Sequence, residues 1–351
     1  MTMNMRVRNV NLAGLLIATV AGVGSAQNVP AWIDQLGASS AVDRAMAACE
    51  LDRLGSRSDG DLSEAMPALL ALLGDASPVE GKLCREHGRS RNGRERESSP
   101  GREAALALEN VGRQALPPLM EILDQGSDVA RANAAFALGL IEDPRAIDAL
   151  AAVIEREPSS VREKAAWALG MIEDRRGVEP LTRSLRDPVA DVRRESAWGL
   201  GMIERASAVP ALSLAVMDSD AGVRREAAWA LGMIEAGSGV EPLIGALRDD
   251  DARVRKEAAW AIGMIEDRRG VSALIRALTD PNAAVRKEAA WGLGMIEDGS
   301  ALDALLDALD DEDPHVRKEA IWAISRVIAD ADTTTLDTDK LAASLKRAFA
   351  R

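Results

Sequence analysis

One aromatic residue returns at a constant interval of 31: Trp167, Trp198, Trp229, Trp260, Trp291 and Trp322, with Phe136 holding the same register one period earlier. The phrase around it returns as well, as VREKAAWALGMIED, VRRESAWGLGMIER, VRREAAWALGMIEA, VRKEAAWAIGMIED and VRKEAAWGLGMIED. A period of this length is one supersecondary unit that cannot bury its apolar face alone, so the chain must stack copies of it. A single closed core is excluded for the repeated part, because each copy presents the same faces to its neighbours.

Within one copy, Val192, Ser196, Gly199, Leu200 and Ile203 fall on one side of a helical wheel at about 100° per residue. Gly199 stands where Ala168, Ala230 and Ala261 stand in other copies, so that site calls for a small residue. Arg205-Ala206-Ser207 reads as a turn, and Val209 to Met217 as a second apolar helix. Pro180 falls in the first turn of the second helix of its copy, where a missing N–H is harmless. Asp187-Pro188 and Asp280-Pro281 then break the chain before the next copy. Each unit is thus an antiparallel helix pair. Tyrosine is absent and Phe occurs twice, while helix formers are abundant, which also argues against a sheet.

These residues resemble the short HEAT repeats of phycobilin lyase subunits, the PBS-lyase or E-Z HEAT-like type. The match rests on the Asp, the Val-Arg pair, the Ala-Ala-x-Ala-Leu-Gly-x-Ile helix and the Val-x-x-Leu second helix, repeated from about Arg102 to Asp330. The resemblance implies an all-α solenoid with first helices outside and second helices lining a concave groove. It also implies a structural ladder at the junctions, built from Asp187, Asp218, Asp249, Asp280 and Asp311 with Arg193, Arg224, Arg255, Arg286 and Arg317.

The ends differ from the middle. Arg6 and Arg8, the apolar run Leu12 to Gly24 and the small residues Gly24-Ser25-Ala26 read as a signal peptide over 1–26, with an uncleaved anchor as the alternative. No other segment approaches the roughly 18 apolar residues that spanning needs, so no stable membrane insertion is expected after cleavage. Residues 27–76 read as a divergent helical pair capping the stack, and 102–330 as the solenoid. Leu341, Leu345 and Phe349 suggest a C-terminal capping helix within 331–351. Between them, 77–101 is rich in Arg, Ser, Gly and Glu and reads as a flexible charged insertion, either a solvated loop or a basic docking arm.

The formal net charge is -13, and loss of Arg6 and Arg8 with the signal would leave -15. Such a chain repels phosphate backbones, so neither nucleic acid nor an anionic membrane surface is an expected partner. The two cysteines, Cys49 and Cys84, could pair in an oxidising compartment; a buried Cys49 beside a free Cys84 is the other reading.

Two rows of side chains compete for a functional role. Trp167, Trp198, Trp229, Trp260 and Trp291 each have a Met four residues on, Met171, Met202, Met233, Met264 and Met295, lying beside the core stripe. One reading packs each pair over Ala and Gly of an adjacent first helix; the other leaves the row exposed to bind apolar partners. The recurring Glu195, Glu226, Glu257, Glu288 and Glu319 suit solvated or inter-repeat salt bridges. The second row is where the copies differ, on the second helices: Glu179, Arg183 and Arg186; Ser213; Glu241 and Arg248; Ser272 and Arg276; Asp303 and Asp307. Its drift from mixed charge to acidic suits an extended protein or peptide partner with a basic segment.

Catalytic chemistry is not evident. His87 and His315 are isolated, and the paired His-Glu motifs of HEAT-repeat hydroxylases do not occur, so the resemblance does not carry that activity. No phosphate loop, nucleophile elbow or zinc pattern appears. One Met per period is a weak copper(I) site, and Asp307, Asp310, Asp311, Glu312 and Asp313 lack the spacing of a calcium loop. The expectation is an exported, non-enzymatic, cofactor-free scaffold of a bacterial periplasm or cell envelope. The alternatives are an accessory subunit of a lyase-type enzyme, or a ligand or metal carrier using the Trp and Met row.

Overall fold

A computed structural model describes residues 29–57, 60–79, 98–156 and 158–330, with 342 and 346. The expected signal segment, the middle of the expected insertion and, apart from 342 and 346, the expected C-terminal cap lie outside the described residues. Among the described residues the chain is helical throughout, apart from one antiparallel bridge between Val79 and Ser98. Two compact units divide it, Met1–Ala115 and Leu116–Arg351.

The first unit holds α1 (Val29–Gln35), α2 (Ala41–Gly55), α3 (Met66–Leu72) and α4 (Pro100–Val111). Ser40 and Ser99 cap α2 and α4 by accepting from the backbone N–H of Asp43 and Arg102, satisfying donors that a helix start leaves open. Pro100 occupies the first turn of α4, and Gly112 ends that helix at φ +66. α2 and α3 both pack on α4, burying Ala45, Ala48, Leu51, Leu69, Ala104 and Leu108. The insertion is therefore narrower than the sequence suggests. The Val79 N–H bonds the Ser98 carbonyl at 3.0 Å, and Pro100 and Gly101 are buried in α4.

The second unit opens with α5 (Leu116–Gln125) and then alternates long and short helices. The long ones are α6 (Asp128–Ile141), α8 (Ser159–Ile172), α10 (Ala190–Ile203), α12 (Ala221–Ile234), α14 (Ala252–Ile265), α16 (Ala283–Ile296) and α18 (Pro314–Asp330). The short ones are α7 (Ile147–Val153), α9 (Val178–Ser184), α11 (Val209–Ala215), α13 (Val240–Ala246), α15 (Val271–Ala277) and α17 (Leu302–Ala308). Each long helix packs against the long helices before and after it, and each short helix packs chiefly on the long helix that follows. The result is two layers, one of long first helices and one of short second helices.

The wheel of α10 is realised: Val192, Ser196 and Leu200 are fully buried, and the Ser196 hydroxyl donates to the Val192 carbonyl at 2.8 Å. α11 is shorter than the span Val209 to Met217 expected for it. A 3-10 turn, Ala206–Ala208, precedes it, and the chain leaves the helix before Asp218, whose carboxylate accepts the N–H of Asp220 two residues on. Long helices α6 to α16 end on a left-handed glutamate, from Glu142 at φ 54 to Glu297 at φ 57. The sequence reading did not anticipate this cap, because glycine is the usual residue there.

Candidate partner-binding surface

The phrase repeated in each copy joins units to one another. The Nε and Nη2 of Arg193 donate to both carboxylate oxygens of Asp218 at 2.7 and 2.8 Å, and its Nη1 donates to the Asp187 carbonyl at 2.8 Å. Arg224 does the same with Asp249, Arg255 with Asp280, and Arg286 with Asp311. Arg162 and Asp187 add a rung at 2.6 Å. Arg317 donates to the carbonyls of Asp311 and Glu312. Bidentate forks of this kind fix orientation as well as distance.

Burial raises the carboxyl pKa of Asp218, Asp249, Asp280 and Asp311, but the arginine fork and the backbone N–H two residues on outweigh it, and the net shift is downward. These acids are charged joints.

The Trp row forms a second joint. A methyl group built on Gly201 would meet Cζ3 of Trp229 at 2.6 Å and Cα of Ala230 at 2.9 Å. Gly139, Gly170, Gly232, Gly263 and Gly294 meet Trp167, Trp198, Trp260, Trp291 and Trp322 in the same way. The glycine of one first helix thus receives the indole edge of the next. The small residue that follows each Trp is explained too, since Gly199 and Gly292 approach Gly170 and Gly263 backbone to backbone. Trp198 is buried at 7 % exposure; Trp167, Trp229, Trp260, Trp291 and Trp322 are half-buried, as are Met171, Met202, Met233, Met264 and Met295. Phe136 and Trp167 stack with ring centroids 5.0 Å apart.

The Glu row lies on the same stripe. Glu226 is buried, and burial pushes the carboxyl of Glu257 up against the opposing pull of Lys256 and Arg225. Glu319 is raised by burial in the same way.

The second-helix layer carries the residues that vary. In repeat register the outermost row reads Ala152, Arg183, Leu214, Gly245, Arg276 and Asp307, and the next reads Glu155, Arg186, Met217, Arg248, Thr279 and Asp310; all are exposed. A third exposed row includes Glu179, Glu241 and Asp303. Neighbouring units reach one another across this face, since Arg183 pairs with Glu155 of the preceding unit and with Glu179 at 2.7 Å. Arg186, Arg248 and Arg276 make no salt bridge with a described residue. Leu214 and Met217 stand out, 63 % and 71 % exposed. Sequence alone points to Ser213 on α11, not to these two residues. The signal was there: the other copies place Arg183, Gly245, Arg276 and Asp307 in the register of Leu214.

Further contacts escaped the sequence as well. Arg176 and Arg269 reach back to the carbonyls of Pro144 and Gly237 one unit earlier, at 2.8 and 2.6 Å, through the phrase Asp-Arg-Arg-Gly. Arg269 also forks onto Asp267 and lowers its pKa to about 2. In the first unit Arg44 bonds Asp75 and the Ala38 carbonyl, each at 2.7 Å, so the same joint occurs where the phrase has decayed to Val42-Asp43-Arg44. Among the described residues no cluster of His, Cys, Asp or Glu is arranged to hold a metal ion, and no helix is long and apolar enough to cross a membrane. Cys49 is disulfide-bonded; the chain's other cysteine, Cys84, lies outside the described residues, as does His87.

Comparison with known proteins agrees with this architecture. The family model described as HEAT repeats matches residues 116–201, 178–239, 208–282, 240–325 and 271–349, and the PBS lyase HEAT-like repeat matches 102–125. No curated protein matches the sequence. Among solved structures, YibA of E. coli is similar at 20% identity and a TM-score of 0.54, over 79% of this chain and 95% of that one. An engineered protein is similar at 23% identity and a TM-score of 0.48, over 93% of this chain and 98% of that one. The complex of CpcE and CpcF of phycocyanin lyase from Nostoc sp. PCC7120 is similar at 22% identity and a TM-score of 0.41, over 67% of this chain and 93% of that chain. With two thirds of its length covered by the family model and its units joined as described, the chain belongs to the HEAT-repeat proteins.

Proposed function

We propose that this chain is an exported, non-enzymatic scaffold that recognises another protein through the exposed face of its second helices. The observation that carries the reading is the placement of Leu214 and Met217, two large apolar side chains more than half exposed on α11 and the turn that follows it, amid rows of unlike charge. Stacked repeats keep such a face in a fixed array, and an extended array suits protein recognition. The carboxyls with the largest perturbations, Asp251 and Asp267, are each held by an arginine two residues on at a helix start, which supports a structural role for them. The disulfide at Cys49 supports an oxidising compartment, in line with the signal-like N-terminus.

The test is quantitative capture from extracts of the native host, comparing the wild-type chain with Leu214→Asp/Met217→Asp and with Arg253→Glu, an exposed change on a first helix. The reading expects one or more proteins lost with the double variant and retained with Arg253→Glu. An identical set from all three overturns it.

A further inference from the structure

The second-helix face is not uniform, and its order along the stack specifies an occupant. α9 and the turn after it present the paired Arg183 and Arg186; α11 and its turn present Leu214 and Met217; α13 and its turn present Gly245, with nothing within 4 Å of an added Cβ, and Arg248. α15 then presents Arg276, and α17 presents Asp307 with Asp303 beside it. The sequence along the stack is cation, apolar knob with an open site beside it, two cations, and a block of carboxylates. Neighbouring helices lie about 8–10 Å apart. An extended chain advances about 3.3 Å per residue, so it crosses one unit in about three residues.

We propose that this face binds an extended segment of a partner protein with one large apolar residue over α11 and α13. Acidic residues stand about three positions to one side and at about three and six positions to the other, and basic residues follow about nine positions along. The inference rests on the recognition face described above and adds the chemistry and register of its occupant. Charge complementarity carries it. Arg186, Arg248 and Arg276 are exposed cations without a salt bridge to a described residue, in a chain of net charge -13, and they flank α11 and its turn, which carry the two most exposed large apolar side chains among the described residues. The apolar side chain lies beside Leu214 over Gly245, which carries no side chain and has open space where a Cβ would stand. The carboxylates of α17 face the basic end, which sets the register and excludes a uniformly acidic segment.

The probe is a labelled synthetic peptide of pattern Glu-x-x-Leu-x-x-Glu-x-x-Glu-x-x-Lys-Lys, with Ser and Thr at the intervening positions, made in both chain directions. Anisotropy with the full chain is expected to show saturable binding of one direction, weakening severalfold between low and physiological salt. Replacing the probe's Leu by Ser, or Gly245→Leu in the protein, is expected to weaken binding at least tenfold. Arg248→Glu/Arg276→Glu should abolish binding of the original probe and restore it for one with Lys at the two facing positions. Equal binding of a scrambled probe, or no rescue by the charge-swapped pair, overturns the register. If no probe binds while host proteins are still lost with Leu214→Asp/Met217→Asp, the occupant assigned here is wrong and the recognition face stands. Circular dichroism of each variant keeps a folding failure from being read as lost binding.

Discussion

Two glycine-to-alanine substitutions, chemically identical and both in helices, are expected to move stability in opposite directions. At Gly245 an added Cβ has nothing within 4 Å, so the change should add the helix-propensity difference of up to about 1 kcal/mol. At Gly232 the same carbon would stand 2.8 Å from Cζ3 of Trp260, 2.9 Å from Cα of Ala261 and 3.0 Å from its Cβ. Two of those contacts are not flexible tips, so α12 and α14 must separate by about 0.5 Å. A gap of that size forfeits about a quarter of the dispersion attraction of the lining atoms. Overpacking of this kind costs about 1–3 kcal/mol, and subtracting the propensity gain of about 1 kcal/mol leaves a net loss of up to about 2 kcal/mol. Urea unfolding followed by far-UV circular dichroism and by the Trp emission measures both, and disagreement of the two signals would reveal partial unfolding of the array. Stabilisation of Gly232→Ala to the same degree as Gly245→Ala would refute the close joint between Gly and Trp.

The charged joints make a prediction with a definite sign. Asp218, Asp249, Asp280 and Asp311 have folded pKa values below their ordinary ones, so the stability they add is complete above the ordinary carboxylate pKa and is lost as pH falls through the folded values. Acid unfolding should steepen below about pH 4. Asp249→Asn should cost about 1–3 kcal/mol at pH 7 and flatten that acid limb, by urea midpoints across pH. Glu257 and Glu319 are raised, so they act in the opposite sense, and Glu257→Gln should add stability near neutral pH. At the left-handed caps, Glu235→Gly relieves a strain of about 1–2 kcal/mol against a glycine entropy cost of about 0.5–1 kcal/mol, so a small rise in melting temperature is expected. Thiol labelling of the chain isolated from its host should leave Cys49 unmodified until a reductant is added.

The legibility of this chain follows from what repeats. The Trp interval, the small residue after it and the Arg and Asp of the joints recur because every junction imposes the same geometry, so the architecture could be read from periodicity. The wheel of α10 was legible because five buried positions on one stripe leave no second arrangement. The left-handed caps were not legible, since Glu204 or Glu235 in that conformation follows from the tertiary demand to turn into the next 3-10 segment and opposes local preference. Leu214 and Met217 were missed because a leucine in a short apolar helix reads as core; only its register against Arg183 and Asp307 marks it as outward-facing. The joint between Arg44 and Asp75 was hidden by a decayed phrase and by its spacing, 31 residues where the joints of the second unit span 25.

The central claim is a division of labour: repeated residues join the units, and the varied second-helix residues meet the partner. Photo-crosslinking in the native host tests it directly, with a benzophenone amino acid placed in turn at Leu214, Arg276 and Asp307, and at Arg253 and Met202 on the first helices. The account predicts adducts with a common partner from the three second-helix positions and none from the two first-helix positions. Adducts concentrated at Met202, beside the half-buried Trp row, would contradict it and place recognition on the first-helix face.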